Sequence, residues 1–219
     1  MKQNNVVVFG AGGHGKVIID ILEKMGCWHI LGFLDSSKES GTEILDYKVL
    51  GNEQFVTTLA PETFYIVAVG DNWIRREIVK RLIELKSDLK FATAIHPTAV
   101  IARDVEIGPG TAVMAGAVIN PCTRIGNHCK INTQCSVDHD NTIGDFAAIE
   151  PGAVLNGTIR VGTCSTVASG AVVRHGINIG DHVIVGAGAT VLNDVEDRVI
   201  VYGTPAKVIR SRLENERYL

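Results

Sequence analysis

Aromatic side chains are scarce. Six Phe, four Tyr and two Trp make up 5% of the 219 residues, while 46% are hydrophobic. The core therefore rests on aliphatic side chains rather than rings. Neither sign of charge dominates: 21 Lys and Arg face 24 Asp and Glu, a net charge of −3. That balance excludes a polybasic nucleic-acid binder and an acidic disordered chain. No apolar run approaches the roughly 18 residues of a membrane-spanning helix, so membrane insertion is not expected. Met1-Lys2-Gln3-Asn4-Asn5 runs straight into Val6-Val7-Val8-Phe9, without the long apolar stretch and cleavage site of a signal peptide. Five cysteines, an odd number, then point to free thiols in a reducing cytoplasm. Glycine is abundant at 23 residues but lacks a collagen period. The length suits one compact domain or two small ones.

The dominant feature is a period of six. Every sixth residue from Ile101 to Val191 is Val, Ile or Leu, sixteen times without a break. A helix repeats at 3.6 and a strand at 2. A period of six fits a short strand plus a tight corner, with one aliphatic side chain per unit pointing inward. Three units close a triangular coil, and coils stack as parallel strands about 4.8 Å apart, giving about five coils over roughly 25 Å. Glycine and asparagine after the aliphatic residue (Gly108, Gly126, Gly144, Gly162, Gly180, Gly186, Asn120, Asn132, Asn156) are expected to serve the corners by tolerating positive φ. The pattern resembles the hexapeptide-repeat proteins, whose parallel β-helix is left-handed. The handedness is implied by that resemblance alone, as are trimerisation and the use of acyl-CoA.

The front of the chain follows another grammar. Val6–Phe9 reads as a strand, Gly10-Ala11-Gly12-Gly13-His14-Gly15 as a glycine turn, and Val17–Leu22 as the start of a helix. His29–Asp35 is a second strand, ending in an acid twenty residues after Gly15. This is a Rossmann-like phosphate-binding fingerprint. The glycines bring backbone N–H groups to a phosphate at the helix start, and Asp35 can accept from a ribose or base. A loop at Leu50-Gly51-Asn52, a helix from about Glu53, a strand Phe64–Val69, the turn Gly70-Asp71-Asn72, a helix Trp73–Lys86 and a strand Lys90–Ile95 complete the unit. The expected organisation is an α/β Rossmann-like domain for a nucleotide-like ligand over 1–96, a left-handed β-helix, as the hexapeptide resemblance implies, over 97–202 and a terminal turn and tail over 203–219.

One run among the hexads carries chemistry: Asp138-His139-Asp140. A histidine titrating near 6.5 can take a proton at neutral pH, and an adjacent carboxylate can fix its tautomer. A solvated polar corner is the competing reading. A metal site is not expected. The histidine pair of γ-type carbonic anhydrases would need a second imidazole at 144, where Gly144 stands; His128, His175 and His182 are isolated; and Cys129 and Cys135 fall on adjacent faces.

Three segments in order sharpen the picture: Gly10–Val17, then Asn132-Thr133 with Asp138-His139-Asp140, then Val201-Tyr202-Gly203-Thr204-Pro205-Ala206-Lys207. Together they resemble the acetyltransferases of nucleotide-linked 4-amino-sugars and of sialic acid, from about Val6 to Arg210. The resemblance implies that Gly12, Gly13, His14 and Gly15 meet the diphosphate of a nucleotide-linked amino-sugar and Asp35 its base or ribose. Gly51, Gly70 and Asn72 would line the cleft, and Asn132 would position the sugar. It also implies acetyl-CoA in a groove of a homotrimer, with Gly157, Ala168 and Gly186 on the pantetheine arm and Lys207 near a phosphate. His139 would be the general base, oriented by Asp140, in direct attack without an acyl-enzyme. An O-acetyltransferase and a non-catalytic nucleotide-sugar sensor are the alternatives. Several members carry a second histidine nine residues after the first; here it is Ala148. The nucleotide and the sugar stereochemistry stay open. The tail after Lys207 reads as a short terminal helix.

Overall fold

A computed structural model describes residues 3–217. The first unit is a three-layer α/β domain. Strand β1 (Asn4–Phe9) leads into helix α1 (Gly13–Met25), then strands β2 (Trp28–Leu34), β3 (Glu43–Ile44), β4 (Tyr47–Gly51) and β5 (Phe64–Val67), helix α2 (Asn72–Leu85) and strand β6 (Lys90–Phe91). The sheet order is β3-β4-β2-β1-β5-β6, parallel except for the β3–β4 hairpin. Val6, Val7 and Val8 are all fully buried, because a central parallel strand is covered on both faces. Helix α1 buries Ile18, Ile19, Ile21 and Leu22 and ends at Gly26 in the left-handed region, a common glycine stop. The segment from Glu53 forms a short 3₁₀ turn, Glu53–Thr58.

The second unit is a triangular parallel β-helix of two-residue strands. Ala112 pairs with Lys130, Val118 with Ser136 and Arg124 with Thr142, so each coil takes eighteen residues. The first face begins at Ala94–Ile95, the second at Val100–Ile101, the third at Glu106–Ile107. The repeating aliphatic residues from Val113 to Val191 all point inward and are no more than 4% exposed. The α/β domain packs against the first face, where Ala94, Ala112 and Met114 join its core. The second corner, between the second and third faces, lies opposite that domain.

Three sequence expectations are corrected. The segment 90–95 is not one strand. Lys90–Phe91 closes the α/β sheet, whereas Ala94–Ile95 already belongs to the first coil. The tail is not a helix among the described residues: Ala206–Ser211 pairs antiparallel with Val199–Gly203, capping the open end of the prism. The corner glycines also serve another purpose. Positive φ falls two residues further on, at Gly110, Gly116, Gly152, Asp140 and Phe146 among others. Gly108, Gly126, Gly162 and Gly180 are instead pressed against the next coil, where a Cβ would meet its backbone or an aspartate. Stacking distance, not turn conformation, demands glycine there.

Candidate active site

At the first turn, Gly15 lies so close to the Gly10 carbonyl that no side chain fits, whereas a Cβ at Gly12 or Gly13 would meet open space. Packing thus explains Gly15 but leaves Gly12 and Gly13 with exposed backbone at the start of α1, the geometry of an anion site. Asp35 braces this turn. Its Oδ2 accepts from the Ala11 N–H at 2.8 Å, and its Oδ1 from the Ser37 N–H and hydroxyl at 2.8 and 2.7 Å. Burial alone would push this carboxyl up, but the hydrogen bonds from Ser37 and Ala11 outweigh it and hold the group below its usual range. Beside it opens a cavity of about 570 Å³ lined by Asp35, Lys38, Gly51, Asn52 and Phe55, among others. Lys38 and Asn52 escaped sequence reasoning because they sit in loops without a motif.

His14 sits over the first face. Burial, then Lys130 and Arg75, lowers its pKa to about 3, so it is a neutral imidazole at any physiological pH. Below it, Lys130 pairs with Glu150 at 2.9 Å, both nearly buried. Asn132 donates to the other Glu150 oxygen at 2.8 Å. Glu150 thus closes a polar cluster with Lys130 and Asn132 on the first face. Ala148 is fully buried on the first face, away from the second corner that carries His139.

The Gly70-Asp71-Asn72 turn is a joint between the two units. The Asn72 amide donates to Thr166 Oγ1 at 2.9 Å and to the Ser165 and Cys164 carbonyls. Its side chain faces the β-helix and does not line the cavity beside Asp35. Arg75, one helical turn on, is 1% exposed. It donates to the carbonyls of His128, Val69, Gly70 and Phe146 and to Asn72 Oδ1, at 2.8–3.2 Å. Asn72, Arg75, Ile78, Val79 and Leu82 form the buried stripe of α2.

His139 occupies the second corner. Its Nδ1 lies 2.7 Å from Asp140 Oδ2. An ionised carboxylate only accepts, so Nδ1 carries the proton and Nε2 keeps a free lone pair. The side chain is 49% exposed. Its backbone is fixed on both sides. The His139 N–H donates to Asp138 Oδ1 at 2.8 Å, which also accepts from Asn120, and the His139 carbonyl accepts from the Thr158 N–H. Buried Asn141 ties the same corner to the next coil through the Asp138 and Asn156 carbonyls. Asp140, chiefly through its hydrogen bond, raises the His139 pKa above its ordinary value.

As a general base His139 would work only when deprotonated, and kcat would then rise with pH through that raised pKa. Asp140→Asn removes the main raising cause. We expect the midpoint of the kcat profile to move to lower pH and its plateau to fall by at least about tenfold, through loss of the favoured tautomer. An unchanged profile would show that Asp140 does not orient His139.

The residues expected along acetyl-CoA fall on two corners. Gly157 lies beside His139, whereas Ala168 (1% exposed) and Gly186 follow first-face strands. Gly186 is covered by the Tyr202 ring, which a side chain there would displace. Lys207 stands opposite Tyr202 in the terminal hairpin. Among the described residues no three His, Cys, Asp or Glu converge to hold a metal, and no helix is long and apolar enough to cross a membrane.

Residues 5–82 match the model of the PglD N-terminal domain. A curated relative, the UDP-N-acetylbacillosamine N-acetyltransferase of Bacillus subtilis strain 168, is 39% identical over 117 residues. That match spans about half of each protein, 51% of this chain and 51% of the relative. Two solved structures cover nearly everything. The acetyltransferase domain of PglB from Neisseria gonorrhoeae FA1090, in complex with acetyl coenzyme A, is 35% identical with a TM-score of 0.88 over 95% of this chain and all of that one. PerB from Caulobacter crescentus, in complex with CoA and GDP-perosamine, is 34% identical with a TM-score of 0.85 over 93% of this chain and 96% of that one. The glycine turn, the prism and the histidine corner thus sit in a frame shared along nearly the whole chain, which belongs to the family of left-handed β-helix acetyltransferases that includes PglB and PerB.

Proposed function

We propose that this protein transfers the acetyl group of acetyl-CoA to the 4-amino group of a nucleotide-linked 4-amino-4,6-dideoxysugar. The observation that carries this reading is the His139 corner: a half-exposed imidazole with Nδ1 held by Asp140 and Nε2 free. An amine attacks a thioester only as its free base. His139 Nε2 takes the amine proton as the C–N bond forms, and Asp140 stabilises the resulting imidazolium. A backbone N–H would hold the oxyanion. Collapse breaks the C–S bond, and the leaving thiolate takes the proton back from His139, so no acyl-enzyme forms. Gly12, Gly13 and the start of α1 would receive the diphosphate through backbone N–H groups. His14, kept neutral by burial, would add a hydrogen bond rather than a charge.

The same geometry favours a homotrimer. Within one chain the glycine turn, Asn132, Ala168 and Gly186 lie toward the first corner, and His139 and Gly157 on the second. The face between these corners presents Val100, Val118, Ser136, Val154, Val172 and Thr190, four valines in six positions, with Val100 57% exposed. The third face presents Glu106, Arg124, Thr142, Arg160 and Asn178. Packing the apolar face against a neighbour would set one chain's first corner beside the next chain's second corner. Sugar and thioester would meet there.

Thiol release from acetyl-CoA, measured with UDP-, dTDP- and GDP-4-amino-4,6-dideoxysugars and with free sialic acid, tests the proposal. Turnover on a nucleotide amino-sugar is the expected result and identifies the nucleotide. Turnover on sialic acid alone would overturn it in favour of O-acetylation, and binding without turnover in favour of a sensor.

A further inference from the structure

We infer that Gly157 is a positioning residue for His139, acting through the side chain it lacks. This rests on the reading of His139 as the general base. Gly157 sits one coil beyond His139 in the same corner, 18 residues on. A Cβ built on it would lie 2.6 Å from His139 Cε1, 2.7 Å from Nε2 and 3.2 Å from Nδ1. These three imidazole atoms are its nearest neighbours, so the ring rests directly on the Gly157 backbone. Gly157 does not adopt a left-handed φ. Its backbone therefore does not demand glycine; the imidazole does.

The other supports of the ring are few. A half-exposed side chain with a single hydrogen bond, from Nδ1 to Asp140, can swing about that bond. The glycine floor removes this freedom by giving one face of the ring a surface to lie on. On the far side, the exposed His175 ring, two coils beyond His139, has its centroid 6.3 Å away and tilted by 49°. The space above Gly157 is thus bounded by two imidazoles, with Asp138 and Asp140 as the other charged groups at the corner. A methyl group at 157 would lift the His139 ring from the wall, lengthen its bond to Asp140 and shift Nε2. Displacement of a reacting group by about 1 Å can cost on the order of a hundredfold in rate.

This differs from a backbone contact between Gly157 and the pantetheine arm, and Gly157→Ala separates the two. As a positioning residue, its replacement lowers kcat by at least about tenfold, leaves KM for acetyl-CoA within about twofold and moves the midpoint of the pH profile down, as the raising bond to Asp140 weakens. The imidazole titration of His139, followed by NMR of histidine-labelled protein, shifts the same way without reference to turnover. Folding is controlled by a double variant. In a His139→Ala background, Gly157→Ala should leave the melting temperature equal or higher, since the three closest contacts of the added Cβ are all to the ring and alanine restricts the unfolded chain. An unchanged kcat and unchanged His139 titration would overturn the inference, as would a rise in KM for acetyl-CoA with kcat intact. If His139→Ala itself keeps full activity, the general-base reading fails first. The NMR titration then decides alone whether Gly157 seats the ring, and an unshifted titration refutes it.

Discussion

His139→Ala should lower kcat by about a hundredfold to ten-thousandfold, the range supplied by a positioned general base. Binding of nucleotide sugar should stay largely intact, because the contacts expected for the nucleotide, at Gly12, Gly13 and Asp35, belong to the α/β domain and not to the histidine corner. The side chain is half-exposed, so its loss should move the melting temperature by no more than about 2 °C. Subunit mixing gives this prediction a second edge. Gly13→Asp places a carboxylate where the diphosphate would bind, at a position where an added Cβ meets open space. Each variant alone should be inactive. Co-expressed in equal amounts, they should recover about a quarter of wild-type activity, because a quarter of the sites between subunits join an intact turn to an intact histidine. No recovery from verified mixed trimers would place both half-sites in one chain.

Arg75→Ala should have the largest effect on stability. The guanidinium fixes four carbonyls and an amide oxygen from both structural units, without a carboxylate among those partners. Truncation leaves the His128, Phe146, Val69 and Gly70 carbonyls short of their donors inside the junction, at a cost of about 3–5 kcal/mol. For a chain of this size that lowers Tm by roughly 10 °C. Arg75→Lys should recover only part of the loss, since three donors on a point charge cannot reproduce a planar fork. Thermal unfolding of the three proteins checks this. A loss below about 1 kcal/mol, the level of an ordinary surface change, would show that the two units dock without Arg75.

The contrast between His139 and Arg75 shows what the sequence made legible. The prism was open to reading because each coil repeats one local instruction, an aliphatic residue every six positions. His139 was visible against that background: between the aliphatic positions Val137 and Ile143, two carboxylates flank an imidazole. Arg75 was not, because its partners lie 53 and 71 residues away, at His128 and Phe146. Lys130 and Glu150 carried a faint signal. In the first-face column occupied by Ala94, Ala112, Ala148 and Thr166, Lys130 is the odd residue, and a buried lysine needs a partner. The misreading of the corner glycines has a similar origin. Their φ could be guessed from one coil, but the contact that demands glycine is made with the next. The tail after Lys207, rich in basic and acidic residues, suggests a helix. Pairing with Val199–Gly203, which no local pattern reveals, makes Ala206–Ser211 a strand.

The most direct measurement is the structure of the product. Wild-type protein, acetyl-CoA and the best nucleotide-linked 4-amino-sugar from the panel would be incubated, and the sugar examined by NMR. The account predicts one new acetyl group, on the nitrogen at C4, formed in step with free coenzyme A thiol and absent with His139→Ala. An acetyl group on a hydroxyl, or thiol release without an acetylated amine, would contradict it.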